Sequence, residues 1–88
     1  MILGKVIGTV VATRKLESLV GFKLLMVEPF YDDNGSGRVL VAGDRVGAGI
    51  GEVVLVTEYS TTRYAVEHDC PIDAVIVGIV DNPPIIGK

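Results

Sequence analysis

The chain contains one cysteine, no tryptophan and only 6% aromatic residues. Cys70 has no partner for an intrachain disulfide, so a reducing cytosol is the expected setting. Basic charge is also scarce. Eight Lys and Arg stand against eleven Asp and Glu, a formal net charge of -3, with no block of like charge. Phosphate binding needs concentrated Lys and Arg, so nucleic acid is a poor partner. Long apolar runs are missing too: the opening MILGKVIGTVV is interrupted by Lys5 and glycines well before the ~20 apolar residues a membrane-spanning helix requires. These absences describe a soluble intracellular protein with no nucleic-acid or membrane partner.

Aliphatic residues are plentiful. Hydrophobic types make up 49% of 88 residues and the mean hydropathy is +0.50. A chain of this length builds one small domain, residues 1–88, hiding about 60 to 65% of the surface its unfolded form exposes. Such a core is too thin to use all the apolar material, and the surplus is expected to face another subunit.

Segments 3–13, 22–28, 38–42, 52–58 and 74–81 are rich in Val, Ile, Leu and Thr and are separated by Gly, Pro, Asp or Asn. They predict five strands. Helical periodicity is nearly absent; the one candidate is STTRYAVE, where Ser60 caps a short helix starting at Thr61 and ending before Pro71. Five short strands with one short helix predict an all-β fold, a five-stranded OB-like barrel, with a meander sandwich as the rival. Gly4, Gly8 and Gly78 inside strand patterns favour the barrel, because glycine in a strand marks a sharp bend or a close approach.

The strands are apolar on both faces. In the first, Ile2, Val6, Val10 and Ala12 are expected to point inward while Leu3, Ile7 and Val11 point outward. In the last, Ile76 and Val80 share one face and Val75, Val77 and Ile79 the other, and EVVLV behaves alike. Parallel sheets sandwiched by helices show such patterns, but this chain has too little helix to cover a sheet. A neighbouring copy is the economical cover, and a closed ring is a usual way to provide it. The outward faces carrying Ile7 and Val77 are therefore expected at a subunit boundary.

Three motifs suggest chemistry and none sustains it. Gly47, Gly49 and Gly51 read GxGxG, but EVVLVTE follows as a strand, whereas a dinucleotide loop opens a helix toward the phosphate. A glycine turn between strands is the better reading. DDNGSG imitates the start of a calcium loop, with oxygens at Asp32, Asn34 and Ser36, yet Gly43 falls where the bidentate carboxylate belongs. EHDCP places His68 beside Cys70 without an evident oxyanion site or orienting partner, and one His with one Cys falls short of a zinc set. Tyr31, Tyr59 and Tyr64 lack the spacing of a base-stacking platform. No catalytic residue, metal or cofactor is expected.

In order and spacing, GKVIGTVVATRK, LVGFKLLMVEP, GDRVGAGIGEVVLV, STTR and DAVIVGIVD resemble the EutN/CcmL family of bacterial microcompartment shell vertex proteins, over nearly the whole chain. Gly47, Gly49, Gly51 and Glu52 match the family's glycine-rich stretch, Asp44 its preceding acidic position, and Lys23, Leu24 and Leu25 its KLL block. Ser60 and Arg63 match its Ser-x-x-Arg segment, although Tyr59 stands where glycine is common and Thr62 where alanine is common. The resemblance implies a non-enzymatic OB-like barrel, in the bacterial cytoplasm, forming a homopentamer that caps shell vertices beside hexameric shell proteins. Asp44, Gly47, Gly49, Gly51, Glu52, Ser60, Arg63, Ile7 and Val77 are the expected interface residues, with Arg63 suited to a carboxylate such as Asp44 or Glu52 on a neighbour. Two other classes compete. A small OB-type module for an oligonucleotide or small ligand would need a basic or aromatic groove, and an enzyme would have to be built on Cys70 and His68. Pro83 and Pro84 end the last strand, and Ile85 and Ile86 form an apolar tail with no assigned role.

Overall fold

The computed structural model describes residues 1–13, 15–30, 38–58 and 72–81. The expected helix after Ser60, the DDNGSG and EHDCP stretches, Arg63 and the Pro-Pro-Ile-Ile tail lie outside them. Five strands form in the expected order: β1 (Ile2–Val10), β2 (Lys23–Pro29), β3 (Leu40–Asp44), β4 (Val53–Glu58) and β5 (Ala74–Val80). They close into a barrel in the order β1-β2-β3-β5-β4. All neighbours pair antiparallel except β3 and β5, which run parallel through Gly43↔Val75 and Asp44↔Ile76. The all-β barrel expected from the sequence is the fold found.

Most strand ends shift by a single residue from expectation, and β1 and β3 shift by more. β1 ends at Val10 rather than residue 13, because its pairing with β2 stops at Val10↔Leu24. The chain then runs through a single 3₁₀ turn, Glu17–Leu19, closed by the Leu19 N–H on the Leu16 carbonyl at 2.9 Å; its short length gives no periodic signal. β3 runs from Leu40 to Asp44 rather than from residue 38 to 42. An acidic residue after Ala42 and Gly43 reads as a turn, but here its backbone joins the parallel ladder to β5 while its side chain serves the next loop.

The interior is aliphatic and small. Val6, Leu25, Val27, Ala42, Val54, Val56 and Ile76 form its centre, with Leu40, Ala48 and Ala74 around them and Ile2 and Ile79 packed against the cluster. Burying each Val, Leu or Ile stabilises the fold by about 1.5–3 kcal/mol, so these few side chains carry most of what one barrel interior can supply.

Each of two strands contains a β-bulge. Along β1, Val6 pairs with Val27 and Gly8 with Met26, leaving Ile7 as the extra residue. Along β5, Ile76 pairs with Val56 and Gly78 with Leu55, leaving Val77 as the extra residue. An inserted residue shifts the inside–outside alternation by one beyond it. This corrects the expected faces. Val10 comes to pair with Leu24 on the outer surface instead of entering the core, and Ala12 lies past the strand. Val80 pairs with Val53 on the outer surface, and Ile79, opposite Val54, turns inward.

Gly4 marks a close approach. A Cβ there would lie 2.6 Å from Val27 Cγ1 and 2.8 Å from the Glu28 carbonyl oxygen. Gly4→Ala is expected to lower the unfolding free energy by about 1–3 kcal/mol, because backbone and a fully buried side chain must shift to admit one methyl. Urea denaturation beside the parent chain checks this; an unchanged midpoint contradicts it.

Candidate subunit interface

The glycine-rich stretch is a built turn anchored from three directions. Asp44, at the end of β3, is 2% exposed. Its Oδ1 accepts the Val46 N–H at 3.0 Å and its Oδ2 the Ala48 N–H at 2.9 Å. Lys23, paired with Asp44 across β2 and β3, donates from Nζ to the Ala48 carbonyl at 2.8 Å. Ala48 is thus held from both sides and its methyl joins the core, closing one end of the barrel. The Glu52 N–H then donates to the Gly49 carbonyl at 3.1 Å, while Glu52 Oε1 accepts the Gly49 N–H at 2.7 Å. Gly51, at the third position of this turn, has φ 92, and Gly47 has φ 93, a region that side-chain-bearing residues avoid.

The loop is stitched to β1 beside its bulge. Val6 N–H donates to the Glu52 carbonyl at 2.9 Å and Gly51 N–H to the Val6 carbonyl at 2.8 Å. Strand β4 follows at once, so no helix N-terminus faces the turn, and the glycines serve chain geometry. Val46 and Ile50 project into water, 48% and 67% exposed. Arg45 sets its guanidinium 5.1 Å above the Phe22 ring.

Two sides of the barrel wall are apolar. On the β1–β2–β3 side stand Ile7, Val10, Leu24, Met26 and Val41, joined by the pairs Val10↔Leu24 and Met26↔Val41. On the β1–β4–β5 side stand Leu3, Leu55, Val53, Val77 and Val80, joined by Leu3↔Leu55 and Val53↔Val80. Lys5, opposite Glu28 and Val53, separates the two along β1. The described walls thus offer aliphatic side chains to a partner, where an oligonucleotide groove would offer basic and aromatic ones.

The expected interface residues fall into groups. Asp44, Gly47, Gly49, Gly51 and Glu52 meet in the one loop; Ile7 lies on one wall and Val77 on another; Ser60 and Arg63 lie outside the described residues. Both Asp44 oxygens and Glu52 Oε1 are engaged by backbone N–H groups of their own chain, a role that charge alone did not reveal. Sequence reasoning did not single out Met26, Val41 and Leu55. Their signal was available in the alternation: Met26 lies between core Leu25 and Val27, Val41 between Leu40 and Ala42, and Leu55 between Val54 and Val56. Among the described residues no group of His, Cys, Asp and Glu could hold a metal ion, and no helix is long and apolar enough to cross a membrane.

A closed five-stranded barrel with a rigid glycine turn and two apolar outer walls defines a small β-barrel subunit suited to self-assembly. The family described as ethanolamine utilisation protein EutN/carboxysome matches residues 1–81, and the chain belongs to it, as the ordered sequence blocks implied. The bacterial microcompartment shell vertex protein GrpN of Rhodospirillum rubrum is 52% identical over 86 residues, covering 93% of this chain and 94% of that protein. The carboxysome shell vertex protein CcmL of Synechocystis sp. is 50% identical over 85 residues, covering 93% and 84%. The solved structure of the Rhodospirillum rubrum GrpN pentameric microcompartment shell protein matches with a TM-score of 0.82 at 46% identity, covering 98% of this chain and 100% of that one.

Replacing Asp44 with Ala leaves the Val46 and Ala48 N–H groups without their acceptor and is expected to cost about 1–3 kcal/mol of folding stability. Within the turn, Gly51→Ala is expected to cost about 1–2 kcal/mol because of its positive φ. Gly49→Ala is expected to stay within about 0.5 kcal/mol of the parent, since Gly49 has no positive φ and its added methyl would sit 3.5 Å from Glu52 Oε1. Equilibrium urea unfolding of the three variants checks the order; Gly49→Ala as damaging as Gly51→Ala contradicts the turn assignment.

Proposed function

We propose that this chain assembles as a homopentamer that closes the vertices of a bacterial microcompartment shell, a structural rather than enzymatic role. The carrying observation is a barrel with two separate apolar walls in a chain whose 46% identical relative is a pentameric shell protein. A ring generated by rotation joins one patch of each subunit to a different patch of the next, so a subunit with two distinct adhesive walls is suited to it. Flat layers of hexameric shell proteins cannot close into a polyhedron on their own, and a five-fold unit supplies the missing curvature. The rim of the ring then meets hexameric shell proteins, in the bacterial cytoplasm where the shell encloses its enzymes. The curated relatives named as shell vertex proteins, from carboxysomes and from other microcompartments, support this reading.

Light scattering or native mass spectrometry of the purified chain is expected to give about 47 kDa, five copies of 9.3 kDa in a closed ring. A monomer or dimer across a wide concentration range would remove the proposed mechanism.

A further inference from the structure

The two bulges share one construction. Each begins with a buried aliphatic residue, Val6 or Ile76. The inserted aliphatic follows and stands in water, Ile7 at 41% and Val77 at 36% exposure. A glycine comes next, and across from it lies a large side chain of the neighbouring strand. A Cβ at Gly8 would lie 3.4 Å from Met26 Sδ, and one at Gly78 would lie 3.6 Å from Leu55 Cδ1. Bulges re-aim side chains, and these two send an aliphatic residue outward on two different sides of one barrel.

We infer that the two bulges are the two halves of a single subunit contact: the Ile7–Met26 wall of one copy seats against the Val77–Leu55 wall of the next. The inference rests on the ring reading above. A two-fold dimer would need one self-complementary patch, whereas a ring needs two unlike patches that meet each other. Among the described residues the barrel offers two, separated by Lys5 and Glu28. A third stretch of wall is already covered by the chain itself. Phe22 and Ile72 approach Gly43 on β3, and the paired Val75 and Thr57 are 3% and 8% exposed. Among the described residues, the walls left over match the number that one subunit with two neighbours requires, and their aliphatic character on both sides suits a second copy of this chain.

The test mixes two variants. Ile7→Asp spoils one wall and leaves the other intact, and Val77→Asp does the reverse. Both positions face water in the isolated chain, so each variant is expected to fold, as circular dichroism verifies. Should either unfold, Ile7→Ser and Val77→Ser replace the pair under the same readout. Each variant alone is expected to fall from the ring mass to 9.3 kDa, a fivefold loss. An equal mixture, sedimented at concentrations well above those at which the parent forms its ring, is expected to reach about 19 kDa and stop there, because one sound contact can form and no ring can close. A folded variant that keeps the ring mass, or a mixture that stays monomeric, overturns the inference while the parent ring leaves the vertex reading standing. A parent chain that forms no ring overturns both.

Discussion

The extra residue that each bulge inserts, Ile7 in β1 and Val77 in β5, decides where every later side chain in those strands points. Upstream of them, Val6 and Ile76 fill the barrel; downstream, Val10 and Val80 are turned out and Ile79 is turned in. A regular five-stranded barrel would alternate strictly and hide one complete face of each strand. Here the interruption spreads aliphatic side chains over two outer walls while the interior stays filled. The same residue that precedes the β1 bulge, Val6, exchanges backbone hydrogen bonds with Gly51 and Glu52, so the glycine turn is fixed relative to that wall.

The turn itself converts sequence economy into rigidity. Asp44 is buried with both oxygens bonded, Lys23 adds a third tie through Ala48, and Glu52 closes the tip. A loop so constrained loses little further freedom when a neighbour packs against it, which favours assembly. Ile50 and Val46, exposed on this frame, extend the apolar surface beyond the strands. Folding and assembly therefore draw on the same residues: the bonds that close the barrel end also set the contour that a neighbouring copy would meet.

Much of this was legible in the chain. Aliphatic segments punctuated by Gly, Pro and Asp gave five strands in the right order, and the surplus of apolar residues announced outward faces in need of cover. Ile7 and Val77 stood out on period alone, and both are exposed. What period could not reveal was the bulges, since a two-residue alternation runs through KVIGTV and VIVGIV without a visible break; only pairing with Met26 and Leu55 shows which residue is inserted. The fate of Val10, Ile79 and Val80 was misplaced for that reason. Asp44 was hidden by a different cause. Acidic residues favour turns, and nothing local says that a carboxylate will be buried to serve backbone donors four residues away. The 3₁₀ turn at Glu17–Leu19 was below the length at which periodicity speaks.

Membership of the EutN/CcmL family and the pentameric state of a solved relative place the two apolar walls in a context where both find a use. Hydrophobic burial against a neighbour is non-directional, while the bulges and the tied turn supply the direction. Shape and stickiness thus come from separate features of one short chain. The central claim is that Ile7 and Val77 are covered by neighbouring copies rather than by water. A crystal or cryo-electron microscopy structure of the assembled protein tests it directly. The account predicts a closed ring in which both side chains, 41% and 36% exposed in the single chain, are buried at every subunit contact. A closed ring that leaves either of them in solvent would contradict it.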